Sequence, residues 1–379
     1  MQQLEVTDLN SSSHFGQSVE ISSNTLFVGA PGADGLTANS GRVFLYSPVD
    51  TGWVNAGELE TFYRDADMEF GASISADNGR AIVGAPGADR MENGAGTAMI
   101  FERNDEGEWR EVALLVPDTI QWNANFGTSV SISGDLAIVG AIFGQTNNEV
   151  TGSAYIFSRQ DEGTWEQTAR LRPSNLNYDD RYGSSVAISG NTAVVGAPND
   201  DENGEDAGAA YIFEKQEDGT WQENTKLAPA GRDGNFGSSV AISDNKIAVG
   251  AHWYLTEGTT FVFQKMADGT WEESTMLDPD NKSFPSSNND RFGRSVALSG
   301  NRLLVGAPRG SNSEGDFTGV AWLFEQNEDG TWTEGQQITF TESMDEDNFG
   351  TAVAISDNHL VIGANRSSDG KGSAIVVER

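Results

Sequence analysis

Apolar and small polar residues alternate through Phe236-Gly237-Ser238-Ser239-Val240-Ala241-Ile242-Ser243, and a second apolar run, Ile247-Ala248-Val249, leads to Gly250-Ala251. Period-two alternation marks a strand, and Ser243-Asp244-Asn245 closes the pair as a tight turn. A third run is clearest at Gly208-Ala209-Ala210-Tyr211-Ile212-Phe213. A fourth begins at Trp221 after the turn Glu217-Asp218-Gly219, where Asp-Gly supplies the positive φ of a hairpin. The unit is a four-stranded antiparallel meander.

The unit recurs. Aromatic-Gly pairs start at Phe15, Phe70, Phe126, Tyr182, Phe236, Phe292 and Phe349, with spacings of 55, 56, 56, 54, 56 and 57 residues. A period that covers nearly all 379 residues overrides the two or three domains that length alone suggests. One such sheet cannot bury both faces, whereas seven arranged radially can. The sequence therefore predicts an all-β, seven-bladed β-propeller as a single domain over residues 1–379.

The two ends predict how the ring closes. Residues 372–377 match the third strand of the seventh repeat, and no fourth follows. Leu4 stands 11 residues before Phe15, the offset of Leu115 from Phe126, Leu171 from Tyr182 and Ile338 from Phe349. Residues 1–10 are thus expected to close the last blade, with 2–7 pairing beside 372–377 and removing an open edge.

Composition narrows the partners. There are 57 acidic and 23 basic residues, a formal net charge of -34, which disfavours nucleic acid and also serves solubility. Cysteine is absent, so no disulfide framework or thiolate metal site exists. No apolar run reaches the roughly 18 residues of a membrane span. The start Met1-Gln2-Gln3-Leu4 is not a basic and apolar leader, which fits an intracellular protein or one whose signal peptide is removed.

The motifs resemble the FG-GAP repeat propellers, whose best known members are the head domains of integrin α subunits. Phe15-Gly16 with Gly29-Ala30-Pro31, Phe70-Gly71 with Gly84-Ala85-Pro86, and Phe292-Gly293 with Gly306-Ala307-Pro308 carry the pattern intact, and Tyr182-Gly183 with Gly196-Ala197-Pro198 is a near match. Asp-Gly-Thr-Trp turns at Asp218, Asp268 and Asp329 make the chain look like the bacterial secreted or cell-surface branch. The resemblance implies a secreted or surface location and a binding or adhesion role. It also implies a departure: the integrin calcium loop between the first two strands is replaced by turns such as Ser189-Gly190-Asn191, so calcium sites of that type are not expected.

In a repeat protein, departures from the repeat are where function is written. Trp53, Trp109, Trp165, Trp221, Trp271 and Trp332 obey the repeat and read as packing, as does Trp322; only Trp122 and Trp253 fall outside. Strand order puts the loops between strands two and three and those joining blades on one face, leaving tight turns on the other. The long-looped face is the candidate binding surface.

Loops on that face change at the fifth blade. The Pro slot and the third-strand Gly are 10 residues apart in the first four blades, but His252 and Gly258 only 6. Leu227 and Phe236 are 9 apart, and Leu277 and Phe292 are 15 apart. A recess flanked by residues 281–289 is expected there. It would be lined by His252, Trp253 and Tyr254 and by Arg291, with Trp122 and Tyr178 as further candidates; the bland alternative is that Trp253 folds inward as a plug.

Acidic clusters lie on the same face, at Asp179-Asp180, Asp200-Asp201-Glu202 and Asp345-Glu346-Asp347. Asp200, Asp201 and Asp206 could offer oxygens to Ca2+, although no cofactor is required. The three histidines are His14, His252 and His359, and no nucleophile elbow, histidine metal triad or phosphate loop is present. The expected function is non-catalytic recognition of a glycan or an extracellular protein near the fifth blade by a monomeric module without membrane insertion. The alternatives are a polysaccharide lyase using His252, Tyr254, Arg232 and Arg291, or a purely structural module of a larger adhesin.

Overall fold

The computed structural model describes every residue except 64, 90–92, 147–148, 174, 230–233, 255–256, 279–289, 312–315, 334, 341–345 and 368. Seven four-stranded antiparallel sheets follow one another around a central channel. In the fifth, Phe236–Ser243 is innermost, followed outward by Lys246–Ala251, Thr259–Lys265 and Trp271–Leu277. The seventh contains Phe349–Ile355, His359–Ala364 and Ser373–Glu378, and is completed by Gln2–Leu4, with Gln2 opposite Val376 and Leu4 opposite Ala374. The expected closure is present, in a strand of three residues.

The core lies between blades. In Thr192–Ala197, Ala193 and Val195 pack with Tyr182 and Tyr211, while the intervening Val194 packs with Phe236 and Val249 of the next blade. Both faces of the second strand are covered, which is why it reads as an apolar run and not as a clean alternation. The aromatic of each aromatic-Gly pair is fully buried and, in the first six blades, meets the third strand's ring, as in Tyr182 against Tyr211 at 5.5 Å and Phe236 against Phe261 at 5.3 Å between centroids. The repeat tryptophans reach sideways. Trp109 meets Phe27 of the preceding blade edge-on at 5.2 Å, and Trp53 meets His359 across the closure at 5.1 Å.

The small polar residues of the motif join the blades. Ser185 Oγ donates to the Gly237 carbonyl of the next blade at 2.7 Å, and Ser18, Ser73, Ser129, Ser239 and Ser295 each make the equivalent bond at 2.6–2.9 Å. Only the seventh joint lacks it, since Ala352 holds that slot. Gly237 itself sits at φ 89°, a left-handed conformation that aims its carbonyl at the serine and that a side chain would strain.

One inner-strand slot carries a charge. Glu20 stands where Ser75, Ser131, Ala187, Ala241, Ala297 and Ala354 line the channel in other blades. Its carboxylate accepts the Ile21 N–H at 2.8 Å and the Ala76 N–H of the next blade, the joint that Ser75 and Ser131 make to Ile132 and Ile188. Burial pushes its carboxyl up to about 7 from the ordinary 4.5, with Asp77 adding to the rise against those N–H bonds. Folding therefore favours the protonated form. The cost is absent below about pH 4.5, grows up to about pH 7 and is constant above it. Glu20→Gln, which keeps an acceptor for Ala76, is expected to be about 1–2 kcal/mol more stable than the wild type at pH 8, after allowance for water in the channel, and equal to it at pH 4. Urea midpoints across that pH range check this; a gap independent of pH would assign the effect to something other than ionisation.

Candidate ligand-binding face

The residue before each aromatic-Gly pair forms a ring at the long-looped mouth of the channel. His14, Glu69, Asn125, Arg181, Asn235, Arg291 and Asn348 all have φ between 51° and 59°. Asparagine tolerates this region, while the same conformation is strained for Arg291 or Glu69, a feature common where side chains must be aimed. The residue after the pair forms a deeper ring of Gln17, Ala72, Thr128, Ser184, Ser238 and Thr351, with Arg294 as its one charge. The deeper ring, with His14, Glu69 and Asn125 of the first ring and Pro31, Pro86 and Ile142 of the Pro slots, lines a cavity of about 820 Å³ at the mouth.

A third ring follows the Pro slot. Its members donate their backbone N–H to the residue two before the aromatic: Asn199 to Asp180, Trp253 to Gly234, Arg309 to Asp290 and Arg366 to Asp347, at 3.2–3.3 Å. The short fifth-blade loop thus keeps the common anchor, and Trp253 is held in the slot of Gly32, Gly87, Phe143, Asn199, Arg309 and Arg366. That slot faces outward. The next one faces inward, with Ala33, Ala88, Asp200 and Ser367 buried in it.

This register separates the three aromatic residues of the fifth blade. Tyr254 occupies the inward slot and packs edge-on against Phe261 at 5.4 Å, so the plug is Tyr254 and not Trp253. Trp253 is 40% exposed, with the Arg291 guanidinium 5.1 Å from its ring centroid and the His252 ring at 5.8 Å. His252 is pulled down to about 3 by burial first, then by the charges of Arg294 and Arg291, and is neutral at neutral pH. Its Nδ1 is buried without a partner.

The charges around it reinforce one another. Arg291 is lowered by burial, then by Arg309, Arg294 and Arg366, and burial lowers Arg294. Arg294 is ringed by protein inside the mouth, yet its surface still meets the water of the wide cavity. A smaller cavity of about 490 Å³ beside it is lined by His14, Arg366, Glu346, Asp347 and Asp369. The opposite rim of the mouth carries Asp67 and Glu69.

Other expected site residues fall elsewhere. Trp122 and Tyr178 share one slot of neighbouring blades and are 64% and 72% exposed. Asp200 is buried; both its oxygens accept Lys226 Nζ at 2.8 Å, and Tyr211 OH donates to it at 2.7 Å. Asp201 Oδ1 accepts the Asp206 N–H at 2.8 Å. Among the described residues no three His, Asp or Glu side chains gather as a metal ion requires. Arg232 and the flanking segment 281–289 lie outside the described residues.

Arg294, Arg309, Arg366 and His14 escaped the sequence reading as members of this face. Two signals mark them: Arg294 is the only charge in its ring, and Asn365 and Gly372 are only 7 apart, so the seventh-blade loop is shortened like the fifth.

Seven radial four-stranded sheets closed by a strand from the other end of the chain define a seven-bladed β-propeller. The chain belongs to the FG-GAP repeat family, whose model matches residues 1–46, 109–157, 165–213, 286–324 and 332–377. No curated protein matches it. Among solved structures it is similar to a putative 6-phosphogluconolactonase from Bacteroides uniformis, at 15% identity and a TM-score of 0.57, covering 89% of this chain and 88% of that one. At that identity the likeness speaks to the fold alone.

Proposed function

We propose that the protein is a non-catalytic, extracellular recognition module that binds a glycan on the long-looped face at the fifth blade. The observation that carries the reading is Trp253: an outward-facing indole on the long-looped face, anchored through its backbone, backed by Arg291 and flanked by a neutral His252. A rigid aromatic face with polar neighbours suits stacking on a sugar ring. Binding is favoured over β-elimination because Tyr254 is turned into the blade and His252 is far too weak a base at rest to take a proton near neutral pH.

The test is retention on neutral and anionic polysaccharides, with calcium and with chelator, for the wild type and Trp253→Ala. Retention by at least one polymer is expected, weakened about tenfold or more in the variant, the equivalent of roughly 1.4 kcal/mol. Equal retention of both proteins would place the site elsewhere. No retention by any polymer would turn the search to protein partners.

A further inference from the structure

In a chain of net charge -34, half of the fourteen described arginines stand beside carboxylates, among them Arg42 by Asp8 and Glu58, Arg80 by Glu102 and Asp135, Arg302 by Asp357 and Arg379 by Glu325. Arg291, Arg294, Arg309 and Arg366 make no ion pair among the described residues, and Arg291 Nε is buried without a partner. They share one sector of the loop face, and Arg309, Arg294 and Arg366 all lie near enough for their charges to act on Arg291. Glu346, Asp347 and Asp369 share the smaller cavity with Arg366, and Asp67 and Glu69 face the group across the mouth. Crowding cations that make no ion pair among the described residues is unfavourable for folding, so the arrangement makes physical sense when a ligand brings the counter-charge.

We infer that this sector is a binding site for an oxyanion-bearing polysaccharide, with Arg309 and Arg366 engaging successive anionic groups and Arg294 receiving one at the channel mouth. Trp253, Arg309 and Arg366 occupy the same slot in three consecutive blades, so the propeller presents an aromatic face and two guanidinium groups at a regular blade-to-blade interval. A repeating ligand matches a repeating array. Guanidinium forks pair with carboxylate and sulfate in bidentate fashion, and the two sources share that chemistry. The acidic rim confines the polyanion to this arc and repels it from the remaining surface. The inference rests on the loop face being the recognition face, but not on stacking at Trp253.

Affinity electrophoresis in gels holding neutral dextran, polygalacturonate, dextran sulfate or poly-glutamate, at about 0.15 M salt, tests it on the whole chain. Retardation by polygalacturonate, by dextran sulfate or by both is expected, and identifies carboxylate or sulfate as the recognised group. The double variant Arg309→Glu/Arg366→Glu, both exposed side chains, should lose at least tenfold in affinity while melting no lower than the wild type. Arg110→Glu, exposed on an outer strand, should bind as the wild type does. Retention by dextran that arginine reversal leaves untouched would keep glycan recognition and overturn the anionic ligand. Retention by poly-glutamate alone, undiminished binding in the double variant, or no retardation by either anionic polysaccharide would each overturn the inference as well.

Discussion

Gly196→Ala is expected to destabilise the protein by about 3–5 kcal/mol, far beyond what an ordinary glycine replacement costs within a strand. Gly196 has an ordinary extended backbone, so conformational strain is not the reason. A Cβ there would fall within 3.0 Å of the Gly237 carbonyl oxygen of the next blade and of Ser185 Oγ, a separation that real Cβ atoms essentially never show. The first obstacle is backbone in a buried strand and cannot swing aside. Making room would push apart the fourth and fifth blades and break the Ser185 to Gly237 hydrogen bond at 2.7 Å. Overpacking of about 1–3 kcal/mol then adds to a similar cost for a buried carbonyl left without its donor. Gly190→Ala is the matched control. Gly190 lies in the turn between the first two strands at φ 53° with nothing within 4 Å of its missing Cβ, so only the left-handed backbone penalty of about 1–2 kcal/mol applies. Urea midpoints of the two variants separate crowding from backbone strain. Equal losses would show that the blades can part at no great cost, and the joint described above would be wrong.

That joint also explains how far the sequence could be read. The period, the four strands and the closure were legible because each is written in local pattern: alternation, turn residues and an aromatic-Gly pair every 54–57 residues. The reason for the serine two residues after the pair was not legible, because its partner is a carbonyl more than fifty residues away in the next blade. The loop face divides in the same manner. Loop shortening pointed to His252, Trp253 and Tyr254, but which of them faces outward depends on an anchor shared by all seven loops. Superposing the slots shows it: Ala33, Ala88, Gly144, Asp200, Gly310 and Ser367 are small or internally paired, and Tyr254 fills the seventh. Arg291, Arg294, Arg309 and Arg366 come from three different slots and two blades, and only the curvature of the ring gathers them. Asp200 carried no sign that Lys226, on an outer strand, would hold it.

Removing residues 1–7 should be nearly as costly as Gly196→Ala, and through a different mechanism. The segment adds the edge of the seventh blade by pairing Gln2, Gln3 and Leu4 with Val376, Ile375 and Ala374. Leu4 is 3% exposed and packs with Phe15 and Val376, so its burial contributes roughly 1.5–3 kcal/mol. Gln2 crosses to the first blade: its Nε2 donates to the Trp53 carbonyl and its Oε1 accepts the Trp53 N–H, both at 2.7 Å. Each such bond is worth about 1 kcal/mol net, and the Gln2 pair is made at the joint that has no serine. The sum is a loss of about 3–5 kcal/mol, together with a freed edge on Ser373–Glu378 that invites pairing with a second molecule. The expected result is a lower urea midpoint, fast amide exchange at Val376, and dimers or larger species at high protein concentration. A peptide of residues 1–10 added in trans should restore both the midpoint and the exchange protection. Gln2→Ala alone should reproduce about half of the loss with the edge still covered. An unchanged midpoint after truncation would mean that blade-to-blade packing alone keeps the ring shut, and the seventh joint would then owe its strength to Phe15 and Gly16 against Ser373 and Gly372.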